Sequence, residues 1–168
     1  RSYDSKFGGL VIVYATGGVV ASKIDEGNLN IRCGNGSKVL DISNSWDRST
    51  FITCAENVAA TAFQAHLLVW KDKLNVSMAS SNKRERRFLA IGTDWDGNAM
   101  HVVVHLPGEV TLYDGTVKVK KFLKDYVDLK ELVFLINLDT GCQDVFQLFD
   151  ESGEIRTDIR GRQPLSQA

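Results

Sequence analysis

The chain has 168 residues, 43 % apolar and 24 % charged, the size and composition of one globular domain. Twenty Lys and Arg against 21 Asp and Glu leave a formal charge of −1. No basic excess exists to neutralise a row of phosphates, so nucleic-acid binding through bulk charge is excluded. The apolar content is too high for a disordered chain, and no apolar run approaches the ~18–20 residues that cross a bilayer.

Short β-type runs dominate. Gly9–Tyr14 is Val/Ile-rich and predicts a buried strand, and the Ala-rich stretch Asn57–His66 is a candidate helix. Leu67–Trp70 predicts a strand that ends at a turn over Lys71-Asp72-Lys73. Arg87–Trp95 and His101–Leu106 predict a hairpin around Asp94-Trp-Asp-Gly-Asn98, where Asp96-Gly97 tolerates the positive φ of a tight turn. From Val117 to Val127, apolar residues fall at Val119, Phe122, Leu123, Tyr126 and Val127, the i, i+3, i+4, i+7, i+8 spacing of an amphipathic helix. Lys118, Lys120, Lys121 and Lys124 take its other face, and Asp114 and Thr116 are candidate caps.

Glu131–Asp139 is almost unbroken apolar sequence, which predicts a strand central in its sheet. A last hairpin is predicted from Val145–Phe149 and Glu154–Ile159, turning at Glu151-Ser-Gly153. Without internal repeats or a Ser/Pro linker, the chain reads as one domain over 1–168. The expected class is α+β: a strand-rich mixed or antiparallel sheet, one clear amphipathic helix and a few short helices.

Cys33, Cys54 and Cys142 have neither C-x-x-C nor metal-ligand spacing. Three partly buried thiols are the default; a Cys33–Cys54 bridge that leaves Cys142 free is the alternative in an oxidising compartment.

The sharpest local feature is Ile136-Asn-Leu-Asp-Thr-Gly-Cys-Gln-Asp144. The period of two puts Asn137 and Asp139 on one strand face and Leu138 on the core side. With Asp144 they form a group suited to acid–base or nucleophilic work, or to a hard divalent cation. The plain alternative is a turn in which Asp139 caps backbone N–H groups. Leu138-Asp-Thr-Gly141 also matches the aspartic-protease triplet, but a single copy with 27 residues after it would need a homodimer.

Lys83-Arg-Glu-Arg-Arg87 is a charge run, usually a solvated loop; Arg87, nearest the strand, is the member expected to point into a site. His66 is a lone His, commonly structural. His101 and His105 share a strand face but lack a third metal ligand.

The order of motifs carries more than any one of them. Glu26-Gly-Asn28, Asn35-Gly36, Ala62-Phe-Gln-Ala-His-Leu-Leu-Val-Trp-Lys-Asp72, Arg86-Arg-Phe-Leu-Ala-Ile-Gly92, Asp94-Trp-Asp-Gly97 and Ile136-Asn-Leu-Asp139 together resemble the phosphodiester glycosidase domain family. The resemblance runs from about Gly9 to Gln163-Pro-Leu-Ser-Gln-Ala168, which is similar to the family's terminal strand cut short. It implies that the family's early Asn-Gly-Gly-Met-Phe segment precedes Arg1 or is lost. There are departures. His66 stands where the family has Pro, and Asp139-Thr-Gly-Cys-Gln143 lacks two of the family's glycines. Its arginine is displaced to Arg87, a one-residue shift that turns a strand side chain to the other face unless a bulge restores it.

The resemblance implies hydrolysis of a sugar 1-phosphodiester or related glycosidic bond, in an extracytoplasmic setting. On that reading Asp139 is the catalytic carboxylate, Arg87 the phosphate clamp, and His66 a proton shuttle if it faces the cleft. Asn28, Asn35, Gly36, Asn137, Thr140, Gly141 and Asp144 are the expected substrate-binding residues. The expected ligand is a carbohydrate or sugar phosphate, with no cofactor beyond a possible divalent cation. The rival expectation is a non-catalytic glycan- or partner-binding domain on the same scaffold.

Overall fold

A computed structural model describes residues 3–4, 6–78, 84–138 and 145–159. Its centre is the apolar strand the sequence singled out. Strand β10 (Glu131–Asn137) lies in the middle of a five-stranded antiparallel sheet, between β6 (Leu67–Trp70) and β8 (Arg84–Thr93). The two-residue β7 (Lys73–Leu74) flanks β6, and β9 (Ala99–Thr111) flanks β8. A strand in this position must bury both faces, which is why it carries almost no polar residue before Asn137.

Each face of that sheet meets a different layer. Leu68, Phe88, Ala90, Val104 and Leu135 pack with Leu112, Val119 and Leu123 of α2 (Leu112–Tyr126). On the other face, Phe134, Ile136, Leu89 and Ile91 pack with Val11 and Ala65 of a second sheet. That sheet has the order β2 (Val19–Lys23), β1 (Gly9–Val13), β5 (Thr61–Ala65), all antiparallel. Strand β1 alternates: Val11 faces the large sheet, while Leu10, Ile12 and the following Tyr14 turn outward to a third cluster.

This third cluster is closed by the hairpin β3 (Leu29–Cys33) and β4 (Gly36–Leu40) and by α1 (Ser45–Asn57). Cys33 and Cys54 form a disulfide that ties β3 to α1, so the bridged alternative is the one observed. No helix among the described residues is long and apolar enough to cross a membrane.

Turn chemistry explains the hairpins. Gly97 has φ +85° between β8 and β9, and the Asp94 side chain accepts from the Asp96 and Asn98 backbone N–H groups. Gly153 has φ +83° between β11 (Phe146–Phe149) and β12 (Ile155–Ile159), where Asp150 accepts from Ser152 and Glu154. Lys71 and Asp72 both have positive φ, the two-residue type I′ pattern, and join β6 to β7.

Three expectations need correction. Residues Asn57–His66 are not a helix: α1 ends at Asn57, Ala59 has φ +50°, and Thr61–Ala65 pairs with β1. Tertiary pairing overrides the helical preference of alanine there. The amphipathic helix starts at Leu112 rather than Val117 and is capped by Thr111, whose hydroxyl accepts from the Asp114 N–H, not by Asp114 or Thr116. Its buried face is therefore Leu112, Thr116, Val119 and Leu123, and Phe122 and Tyr126 stack on each other in the open.

Gly92 of β8 pairs with Leu132 of β10, and an added Cβ there would overlap the Glu131 carbonyl oxygen. Gly92→Ala should therefore lower stability by about 3 kcal/mol in urea unfolding. Cys33→Ser, by opening the bridge between residues 21 apart, should cost a similar amount, about 3 kcal/mol.

Candidate functional site

The end of β10 is polar although its flanks are apolar. Asn137 is 3 % exposed and pairs in register with Phe88 of β8. Its Oδ1 accepts the His66 backbone N–H at 3.1 Å, and its Nδ2 donates to Glu85 Oε1 at 3.3 Å. One amide thus spans the ends of β6, β10 and β8. Because His66 closes the gap between β5 and β6, this bond also ties the second sheet to the first. The His66 ring meets Phe7 edge-on at 4.8 Å.

Beside it, the Leu138 N–H donates to the Arg87 carbonyl at 2.9 Å. The end of β10 therefore lies against the backbone of Arg87. The Arg87 side chain is 4 % exposed: its guanidinium lies 4.9 Å from the Phe146 ring centre and donates to the Val145 carbonyl at 3.3 Å. Burial and the neighbouring Arg86 lower its pKa, and Glu85 works in the opposite sense.

Glu85 is the residue sequence reading missed. It sits at 2 % exposure inside a charge run that reads as a solvated loop. Strand β8 begins at Arg84, three residues earlier than the sequence indicated. At Arg86 the ladder is irregular: four residues of β9, Leu106 to Glu109, stand opposite this one residue of β8. After the bulge Arg87 pairs with His105 and is in step with Leu89, whereas Asn137 is in step with Phe88. By the strand period Arg87 and Asn137 belong to opposite faces of the sheet.

The other expected residues fall elsewhere. Asn35 is in the two-residue turn of the β3–β4 hairpin, with positive φ at Gly34, and Gly36 opens β4; both are exposed. Asn28 is exposed just before β3 and lines an open cleft of about 630 Å³ with Tyr14, Glu26, Arg32, Trp70 and Lys71. That cleft adjoins the Phe134 end of the β6–β10 pair, about 10 Å along β10 from Asn137 by strand rise. Asp139, Thr140, Gly141, Asp144 and Cys142 lie outside the described residues, and the aspartic-protease triplet with them. Among the described residues no group of three His, Cys, Asp or Glu could hold a metal ion.

The structure thus brings the His66 backbone and Glu85 to Asn137, sets the Arg87 backbone beside Leu138 with its guanidinium turned to Val145 and Phe146, and separates all of these from Asn28, Asn35 and Gly36. A buried carboxylate, an amide and a guanidinium at a strand end can hold charge in a low-dielectric setting and orient a polar ligand group. Removing one member leaves buried polar partners unsatisfied. Asn137→Ala should cost about 2 kcal/mol, measured by thermal or urea unfolding against wild type.

His105 adds a pH dependence. Burial, Arg87 and Arg86 lower its pKa from the ordinary 6.5, and its Nδ1 is buried with no hydrogen-bond partner among the described residues. Below pH about 6.5 the unfolded chain binds this proton more readily than the folded one, so stability falls as pH drops through that window. His105→Gln should flatten the stability profile below pH about 6.5, read from unfolding midpoints at a series of pH values.

Set against family models, curated proteins and solved structures, the chain matches none.

Proposed function

We propose that this protein is a hydrolase that cleaves a sugar 1-phosphodiester or related glycosidic bond at the end of β10. The observation that carries the reading is the bond from Leu138 N–H to the Arg87 carbonyl. It sets the residue before Asp139 against the strand that holds Arg87 and Glu85. The motif order that resembles phosphodiester glycosidases supplies the substrate class.

The chemistry suits the residues. A phosphate monoester is a good leaving group, so little acid catalysis is needed at the bond that breaks. What is needed is a carboxylate that supports an oxocarbenium-like centre or activates water, and positive potential where phosphate charge gathers. Asp139 is assigned as that carboxylate, with Thr140, Gly141 and Asp144 beside it in sequence as substrate-binding residues. Arg87 lies under Phe146, so its part is to supply positive potential and shape the wall, unless ligand displaces the ring. Asn137 fixes Glu85 and the His66 backbone, and His66 is assigned the proton shuttle. The disulfide supports an oxidising, extracytoplasmic setting.

One observation favours a second reading, a glycan- or partner-binding domain without catalysis. Arg87 and Asn137 belong to opposite sheet faces, which is not how a clamp and a positioner of one ligand are ordinarily placed.

A chromogenic N-acetylglucosamine 1-phosphodiester, assayed with and without chelator, separates the two. The hydrolase reading expects turnover that falls at least about a hundredfold in Asp139→Asn. A wild-type protein that binds the sugar phosphate without turning over the ester, or an Asp139→Asn variant with full activity, would leave the binding reading. A rate lost with chelator and restored by a divalent cation would place a metal at the carboxylates.

A further inference from the structure

The open cleft beside β3 is a candidate for a role of its own. Its walls come from β2, β3 and the end of β6, and they carry two cations, Arg32 and Lys71, against one carboxylate, Glu26. Strand period explains the composition: Leu29 and Ile31 turn into the core, so Asn30 and Arg32 turn out. Asn28, immediately before the strand, joins them on the cleft.

Two groups in it are held in advance of any ligand. The Arg32 guanidinium lies over the Tyr14 ring, 5.0 Å from its centre, and among the described residues donates to Thr16 Oγ1 at 3.3 Å. The Tyr14 hydroxyl accepts from the Arg32 backbone N–H at 3.1 Å, so ring and strand are locked together. No carboxylate pairs with Arg32 among the described residues. A guanidinium has five N–H donors in a planar fork, and among the described residues one is used. At the other end, Glu26 accepts from Trp70 Nε1 and pairs with Lys71 Nζ at 3.5 Å, while Lys71 lies 5.0 Å from the centre of the Trp70 ring. A carboxylate has about four acceptor positions, so Glu26 keeps capacity for hydroxyl donors.

An aromatic wall, a fixed carboxylate, two amides and an open guanidinium suit a hydroxyl-rich ligand that carries a negative charge. We propose that this cleft binds an acidic saccharide, a sugar or short oligosaccharide bearing a carboxylate or phosphate. Arg32 takes the anionic group in its fork. Glu26, Asn28 and Asn30 take ring hydroxyls, and the edge of the half-buried Trp70 supplies apolar contact. The site is separate from the β10 end and does not depend on the hydrolytic reading.

Isothermal titration calorimetry of the full chain tests it with four probes: trigalacturonate, glucose 1-phosphate, neutral maltotriose and inorganic phosphate. Trigalacturonate should bind at least tenfold tighter than maltotriose, and Arg32→Gln should weaken it by at least tenfold, about 1.4 kcal/mol. Maltotriose should be indifferent to Arg32→Gln and weakened by Glu26→Gln. Glucose 1-phosphate tells whether phosphate replaces carboxylate, and inorganic phosphate whether the sugar matters. Asn28→Ala, on an exposed turn, provides a second variant should Arg32→Gln shift the thermal transition, and it should weaken both oligosaccharides. The proposal fails if none of the sugars binds, if maltotriose binds as tightly as trigalacturonate, if inorganic phosphate binds as tightly as the sugars, or if both variants bind like wild type.

Discussion

A strand buried on both faces needs a separate layer to cover each, and that requirement organises this molecule. Strand β10 has β6 and β8 on its edges, α2 over one face and the β2–β1–β5 sheet over the other. The second sheet in turn exposes the outer side of β1, which the β3–β4 hairpin and α1 cover. Backbone hydrogen bonding and apolar burial thus point to one arrangement, and the disulfide ties down the outermost layer, where the helix contributes least apolar surface.

Polar residues inside such a stack are costly unless paired, so their placement is informative. Asn137 ends the apolar run of β10 and satisfies both the His66 N–H and Glu85. Glu85 and Arg87 enter the interior through the bulged start of β8, where the β9 strand loops away at Pro107-Gly108. Charge is thereby brought to the end of the central strand without breaking the apolar sandwich below it. Burial, and after it the positive potential of Arg87 and Arg86 across the ladder, holds the His105 imidazole toward its neutral form.

Much of this was legible in the residues. The unbroken apolar run of Glu131–Asn137, the Asp-Gly turn at 96–97 and the Ser-Gly turn at 152–153 each carry their own mechanism, and each appears where the pattern puts it. Helix α1 was not legible, because its apolar residues lie on no single face. The Asn44 cap, which accepts from the Trp46 N–H, was its only local signal. The alanines after it misled in the other direction, since Thr61–Ala65 becomes a strand only through its pairing with β1. At the candidate site, Asn137 was reached from the polar end of the apolar strand and Arg87 from its place nearest β8 in the charge run, and motif order added His66, whereas Glu85 was hidden by the charges around it. Burial of a charge run depends on a distant bulge, and no local pattern records that.

The account's central claim is that the end of β10 is where ligand meets the protein's buried charge. Titration of isotope-labelled full-length chain with N-acetylglucosamine 1-phosphate, followed by amide NMR, tests it most directly. The account predicts concentration-dependent shifts at the backbone amides of His66, Arg87 and Leu138 and at the Asn137 side-chain amide. Shifts absent from all four, in a chain whose other amides confirm that it is folded, would contradict it.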